Sequence, residues 1–386
     1  MIKNRYGKRP RGHVLLLSLS LVLLVAASPA TVAEPVGDEL VLGFIGDIMA
    51  HNVNYNMEDY SLIYRAVEPT LQADDLTFGN LEFPVDPRLP RSTYPRFNNH
   101  PDYVQAAIDG GIEVFSLANN HSSDWGIGSI AQTLASMSAL EQSAGRPIWY
   151  SGIRSSEEVP FAPTSMRIKG WHIGYLAVTQ FQNLQPPKPY VLEVDYRRPE
   201  ETGPFIRWLE EITPRYDLFV LSYHGGREYA RTPEPSKVEF LRRAVHAGVH
   251  IVHGHHPHVL QPVEVVHSGG LRRVILYSLG NFISGQGTRI DPERPEADWS
   301  YTGDSAIFTL RVRRVNGRAS VERMDSVLTS NLRIPDRSFV VETMDRLAET
   351  VLDPLWGGYY VRRREIMRSF LRESRRVTVA PYPEMQ

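Results

Sequence analysis

The sequence predicts an α/β fold of layered strands and helices, and three observations carry that prediction. From residue 40 onward, short apolar runs of strand character alternate with amphipathic helical stretches. Six of those runs end in polar residues, as strands of an open α/β sheet do where they meet a ligand. Eight of the 13 histidines fall between His224 and His267, three of them inside Gly254-His255-His256-Pro257-His258.

The expected strands are Val41–Ile45, Leu76–Phe78, Glu113–Leu117, Leu218–Tyr223, His250–Val252 and Val274–Tyr277. Between them, Ile130–Ala144 is rich in Ala, Leu and Met and reads as helix. Ser236–Ala247 places Val238, Leu241 and Val245 on one helical face. Two segments read as hairpins: Ser165–Thr179 turning at Lys169-Gly170, and Ile307–Met324 turning at Asn316-Gly317, a type I′ signal. Asn281–Ser300, dense in Gly, Pro and charge, reads as a long surface loop. Beyond about Thr329 the pattern is helical and polar, with arginines at 362–364 and in Arg372–Arg376, so residues 326–386 form an expected helical C-terminal extension of a domain spanning 38–325.

Composition narrows the function classes. At 386 residues with 42% hydrophobic content the chain is long enough for a large buried core. Its net charge of -2 gives no electrostatic case for nucleic acid. The absence of cysteine removes disulfides, thiolate metal sites and cysteine nucleophiles together. Lys3, Arg5, Lys8, Arg9 and Arg11 precede an uncharged run from Val14 to Ala27, and small residues follow. That order predicts a secretory signal peptide or N-terminal anchor over residues 1–33, and hence an exported protein.

The polar strand ends supply a mixed ligand set. The first strand runs into Gly46-Asp47, with His51 beyond it, and the second into Gly79-Asn80-Leu81-Glu82. The third gives Asn119-Asn120-His121 and Asp124, the fourth His224-Gly225-Gly226 and Glu228. The fifth gives the histidine segment and the sixth Ser278-Leu279-Gly280-Asn281. Taken singly, Asp47 reads as a turn or capping residue, Asn119 and Asn120 as turn formers, and His224 as a core histidine. Those separate readings do not explain why all of them end strands. Carboxylate, amide and imidazole together suit Mn²⁺, Fe or Zn²⁺ rather than Ca²⁺, which takes oxygen ligands.

The segments GDIM (46–49), GNLE (79–82), ANNHSSDWG (118–126), HGGREY (224–229), GHHPHVLQPVE (254–264) and YSLGNF (277–282) resemble, in order, the CapA family of bacterial capsule (poly-γ-glutamate) synthesis proteins. The resemblance covers roughly residues 41 to 324 and implies a metallophosphoesterase-like sandwich of two mixed β-sheets flanked by helices. It implies Asp47, Glu82, Asn120, His224, His256 and His258 as ligands of one or two divalent transition metal ions, with His255 as a spare imidazole. It implies catalytic roles for His121, His224 and Glu228, with His51, Asn80, Asn119, Asp124 and Asn281 supporting the ligands or meeting substrate. Arg96, His100 and Arg227 are candidates for holding an anionic substrate. The chain departs from the superfamily pattern at Met49, where a histidine is usual, and at the second strand, where a Glu in a shifted frame replaces the bridging Asp. The expected partners are an anionic capsule polymer or a phosphoester, and a membrane-bound polymer synthase. A non-catalytic, polymer-binding accessory role is the alternative.

Overall fold

The computed structural model describes residues 37–184, 189–333 and 339–374. The N-terminal segment 1–33 and the last arginines, Arg375 and Arg376, lie outside them.

The first half of the fold is a run of parallel strands with helical crossovers. In chain order it comprises β1 (Glu39–Ile48), α1 (Asn52–Tyr55), α2 (Glu68–Leu71), β2 (Leu76–Leu81), α3 (Pro101–Asp109), β3 (Val114–Ser116), α4 (Ile127–Ser143) and β4 (Trp149–Ser151). The second half opens with the hairpin β5 (Thr164–Ile168) and β6 (Trp171–Thr179). It continues through α5 (Pro199–Ile212), β7 (Leu218–His224), α6 (Pro235–His246), β8 (Ile251–His255), β9 (Val263–Ser268) and β10 (Leu271–Leu276). The chain then returns to the first sheet with β11 (Asn281–Ile283), β12 (Asp304–Val315), β13 (Arg318–Arg333) and β14 (Phe339–Thr343), and ends in α7 (Met344–Thr350) and α8 (Pro354–Ser374).

These strands form two mixed sheets. One has the order β14-β13-β12-β1-β2-β3-β4 with β11 beside β1, and the other β5-β6-β7-β8-β10-β9. Strand alternation decides which side chains meet between them. Leu40, Leu42 and Phe44 of β1, Leu76 and Phe78 of β2, Leu218 and Val220 of β7 and Ile251 of β8 share the inner core. On the outer face of the first sheet, Ile45, Phe115 and Leu117 pack with Val104 and Ile108 of α3 and Met137 of α4. On the outer face of the second, Phe219, Leu221 and Val252 pack with Leu209 of α5 and Leu241 of α6. The period-two pattern carries on to the strand ends, so Asn80, His224 and His255 continue the inner-face series.

Asp47 would break that pattern in a regular strand. Counting from Phe44, alternation sends residue 47 to the outer face. The β1–β2 pairing shifts register between Phe44 and Asp47, and the β1–β11 pairing shifts between Asp47 and Ile48. Such an irregularity re-aims the side chains that follow it. Ile48 therefore joins the outer cluster while Asp47 turns inward.

Both predicted hairpins close through paired left-handed residues, Lys169 (φ 49) with Gly170 (φ 75) and Asn316 (φ 51) with Gly317 (φ 76). The expected helices appear as α4 and α6 with ends shifted by one to three residues. Two expectations are corrected. The helical extension does not begin near Thr329: β13 runs on to Arg333 and β14 pairs back on it, Thr329 facing Thr343, so helix starts only at Met344. Asn281–Ser300 is not loop throughout, because Asn281–Ile283 pair in parallel with β1 and bury Phe282 and Ile283 against Ile48.

The C-terminal helix is fastened by a buried charge pair. Arg363 of α8 is fully buried, bonds Asp304 at the start of β12, donates to the Pro295 carbonyl at 2.7 Å and lies 4.1 Å over the Tyr301 ring. Removing one partner of such a pair strands the other charge in the core, which costs about 3–5 kcal/mol. Arg363→Ala should therefore lower stability by that amount in denaturant titration, whereas an Arg363→Met, Asp304→Leu double variant should recover most of the loss.

Candidate metal centre

Asp47 is completely buried and held from both sheets. Its Oδ1 accepts from Asn80 Nδ2 at 2.9 Å and His255 Nδ1 at 3.0 Å, and its Oδ2 accepts from His258 Nδ1 at 3.2 Å. Burial pushes its pKa up, but the hydrogen bonds from His255 and His258 outweigh burial and hold it well below the usual carboxylate range. Asp47 is therefore the fixed negative charge of the site.

Glu82 lies beside it and behaves in the opposite way. Burial, reinforced by the charges of Asp47, Glu228 and Asp124, pushes its pKa well above the ordinary value. Its Oε2 accepts from Asn80 Nδ2 at 3.1 Å, while its Oε1 has no hydrogen-bond partner and faces His258 Nε2 at 3.7 Å and His224 Nε2 at 3.8 Å. A buried, unpartnered carboxylate oxygen between imidazoles is the arrangement that a cation completes.

The donors form two overlapping groups. Glu82, His256 and His258 make one, and Asp47, Glu82 and His224 the other, with the potential ligand atoms of each group within 4.8 Å of one another. Ligands around one ion at about 2.0–2.2 Å lie up to about 4.4 Å apart, so modest side-chain adjustment brings either group onto an ion. Glu82 belongs to both and would be a ligand in either. The tautomers agree with ligation: an Nδ1–H of His258 donated to Asp47 leaves the Nε2 lone pair facing Glu82, the second-sphere pattern of metal-bound histidine. Asn120 Oδ1 lies 2.8 Å from His224 Nε2, a separation open equally to a hydrogen bond and to shared ligation. Burial pushes the pKa values of His224 and His256 well down, keeping both neutral and able to ligate.

The loop after β8 is what fans the imidazoles apart. His256 and His258 both have positive φ, 93 and 57, an uncommon conformation for residues with a Cβ. His255, still within β8, faces Asp47 by strand alternation, and past the turn His258 meets Asp47 as well while joining His256 in the Glu82 group. Phe181 packs edge-on against His256 at 5.2 Å.

His121 sits next to this cluster. Its Nδ1 donates to Asp124 Oδ2 at 2.7 Å, and the same oxygen accepts the Phe97 amide at 2.7 Å. That bond leaves Nε2 as the acceptor, 3.4 Å from Asn183 Nδ2. Asn119 donates to the Leu81 carbonyl at 2.9 Å and accepts the His121 amide at 3.1 Å, fixing the β3 loop against the β2 end.

Other expected residues stand apart. His51 Nδ1 accepts the Gly285 amide at 3.0 Å, and burial pushes its pKa down to about 4. It belongs to neither donor group, and Met49 is buried in the outer core. Asn281 lies beside Asp47 in the sheet register, yet its amide donates to the Thr302 carbonyl and Gln286, which ties it to the loop. Glu228 is exposed and reaches Glu82 through its charge. Arg96 and Arg227 are exposed, and His100 bonds the Leu89 carbonyl.

Sequence reasoning missed the floor beneath His224. Lys237 of α6 is fully buried and donates to the Gly225 carbonyl at 2.7 Å and the Tyr277 carbonyl at 3.1 Å, and burial pushes its pKa down to about 7. Gln180 accepts the Gly226 amide at 2.8 Å. A lysine in line with Leu241 and Ala244 on the buried face of α6 was the available signal. His253, whose Nε2 bonds the Ile45 carbonyl at 2.8 Å, was also missed, and it clamps β1 to β8 next to the Asp47 irregularity.

A sequence profile described as bacterial capsule synthesis protein PGA_cap matches residues 41–286. The chain is similar to the capsule biosynthesis protein CapA of Bacillus anthracis, 28% identical over 350 residues, 83% of this chain and 77% of that protein. It is likewise 28% identical to the PGA biosynthesis protein CapA of Bacillus subtilis, covering 83% and 82% of the two chains. Among solved structures, a hypothetical protein from Thermus thermophilus aligns over 75% of this chain and 98% of its own, with 15% identity and a TM-score of 0.43. The calcineurin-like phosphoesterase YfkN of Bacillus subtilis aligns over 86% and 99%, with 12% identity and a TM-score of 0.38.

The histidine loop depends on one close backbone approach. A Cβ on Gly254 would lie 2.2 Å from the Tyr277 carbonyl oxygen and 2.6 Å from that of Leu276, so β8 and β10 would have to part. Gly254→Ala should cost at least about 2 kcal/mol in thermal unfolding. Gly128→Ala in α4, where nothing lies within 4 Å of the added methyl, should be neutral or slightly stabilising.

Proposed function

The chain belongs to the bacterial capsule synthesis protein family PGA_cap, and from that premise we propose that it acts outside the cytoplasm in the assembly of an anionic, poly-γ-glutamate-type polymer. In this reading the cluster holds one or two divalent transition metal ions (Mn, Fe or Zn) and hydrolyses or transfers a phosphoester or an amide of the polymer. The observation that carries it is the unpartnered Oε1 of Glu82, the residue common to the two donor groups of Asp47, Glu82, His224, His256 and His258.

A bound ion would supply Lewis-acid activation of water and of the scissile group. The protein's own groups divide the remaining work. Asp47 orients His255 and His258 and keeps the negative charge. Asn120 and His224 would complete the ligand sphere on the side facing β3. His121, with its Nδ1 proton committed to Asp124, presents Nε2 to the reacting group and would pass a proton to or from the scissile oxygen or nitrogen. The basic and apolar N-terminal sequence supports export, either cleaved or kept as an anchor. Among the described residues no helix is long and apolar enough to cross a membrane. A binding role without turnover draws support from Met49 and Asn80, which stand where the phosphoesterase resemblance expects a histidine and an acid. A membrane-bound synthase would be the partner in that case.

Elemental analysis separates these readings. After growth with Mn²⁺ and Zn²⁺, the purified protein should carry on the order of one ion per chain or more, and an Asp47→Ala, His256→Ala double variant should carry almost none. Metal-free wild-type protein would remove the metal reading. Against a phosphodiester and poly-γ-glutamate, the loaded enzyme should release product, with His121→Ala about 100- to 10,000-fold slower at unchanged metal content. Saturable binding without product would assign the accessory role.

A further inference from the structure

Exposed aromatic rings and arginines border the cluster on two sides. On the His258 side the Tyr229 ring lies 6.3 Å from His258 and 5.2 Å from Trp299, and the Arg289 guanidinium sits 4.8 Å over Trp299. On the His121 side the Arg96 guanidinium sits 5.7 Å over Trp125, whose indole N–H donates to the Phe97 carbonyl at 3.0 Å. The Phe97 ring in turn packs 4.6 Å from His121 and 5.0 Å from His51.

Core packing does not account for this border. Tyr229, Trp125 and Trp299 are 37–38% exposed and Tyr94 71%. Among the described residues, the guanidinium groups of Arg96, Arg227 and Arg289 have no carboxylate within ion-pair distance, whereas Arg311 and Arg313 share Glu39, and Arg362 pairs with Glu296. An arginine stacked on an indole is pre-organised with its fork free, the geometry that recognises a carboxylate through two parallel hydrogen bonds. The indole faces beside it suit the methylene segments between successive carboxylates.

We propose that this border is a binding track for an extended carboxylate-bearing chain, with Arg289–Trp299 as the clamp on the His258 side, Tyr229 between Trp299 and His258, and Arg96–Trp125 as the clamp on the His121 side. The proposal rests on the metal-centre reading for the chemistry done on that chain, but not for its grip. Charge favours carboxylates in a discrete track over a nucleic acid backbone, because the protein has a net charge of -2 and the free guanidinium groups stand in separate stacked units.

Fluorescence anisotropy with short labelled poly-γ-glutamate chains tests this, with polyphosphate of matched charge and neutral dextran as comparison probes. Arg289→Ala and Arg96→Ala should each raise Kd about fivefold or more, equivalent to about 1 kcal/mol, and Trp299→Ala should do the same. All three variants should keep wild-type metal content and melting temperature. Arg311→Ala, on β12 where it pairs with Val41 near the start of β1, should bind as wild type. Unchanged affinity in the three border variants, dextran binding that competes with poly-γ-glutamate, or equal retention of polyphosphate would each overturn the proposal. Poly-γ-glutamate binding that still depends on Arg289 and Arg96 in protein without metal would refute the metal reading alone and leave the track standing.

Discussion

A carboxylate that is buried and still charged is the constraint around which the rest of this molecule is arranged. Asp47 ends the central strand of one sheet, and two of its three hydrogen-bond donors, His255 and His258, come from the other. Transfer of an isolated carboxylate out of water costs far more than a small domain's stability, so those contacts cannot be optional. They require β1 to shift register so that Asp47 faces inward. They also require the chain after β8 to adopt two left-handed residues, which few sequences tolerate. Keeping Asp47 charged then makes its neighbour Glu82 difficult to ionise, since two anions side by side in a dry site repel. Burial and the charge of Asp47 thus both disfavour the anionic form of Glu82.

The candidate site was legible in the sequence because strand alternation carries it. Asn80, His224 and His255 follow the inner-face series of their own strands, so polar residues directly after apolar runs point to a shared space before any coordinates are known. The two left-handed hairpin turns were equally local, each set by a Lys-Gly or Asn-Gly pair. Elements that depend on distant partners were not legible. Residues 326–333 read as the start of a helical tail because nothing nearby in sequence indicates that β14 returns to pair with them. Asn281–Ile283 form a strand only because β1 lies alongside.

The roles of individual histidines were harder to read than their presence. By the family resemblance, His255 is the spare imidazole of its segment, yet it makes a 3.0 Å contact with Asp47. Positive φ at His256 and His258 breaks the alternation from which spacing arguments proceed. Lys237 was hidden for a related reason. A lysine on an amphipathic helix is expected at the surface with its charge in water, whereas here the carbonyls of Gly225 and Tyr277 accept its hydrogen bonds in the interior.

Placing the buried donors on strand ends and the exposed arginines on loops divides the candidate site into a rigid part and an adjustable one. The donors of the cluster sit on or directly beyond paired strands, where a displacement of a few tenths of an ångström would break several hydrogen bonds at once. Arg289 and Trp299 sit between β11 and β12, a stretch whose helices are two short 3₁₀ segments of four and six residues. It is attached to the core by Asn281 donating to Thr302, and by Arg363 of the terminal helix bonding Asp304 and the Pro295 carbonyl. The C-terminal extension is therefore not an appendage to the sandwich. Its buried guanidinium stacks on Tyr301, which Arg231 of the β7–α6 loop covers at 4.4 Å. Through that one ring the helix joins the two loops that carry Trp299 and Tyr229, so the Tyr229–Trp299 side of the arginine–aromatic border is braced by a contact that begins more than fifty residues away in sequence, at Arg363.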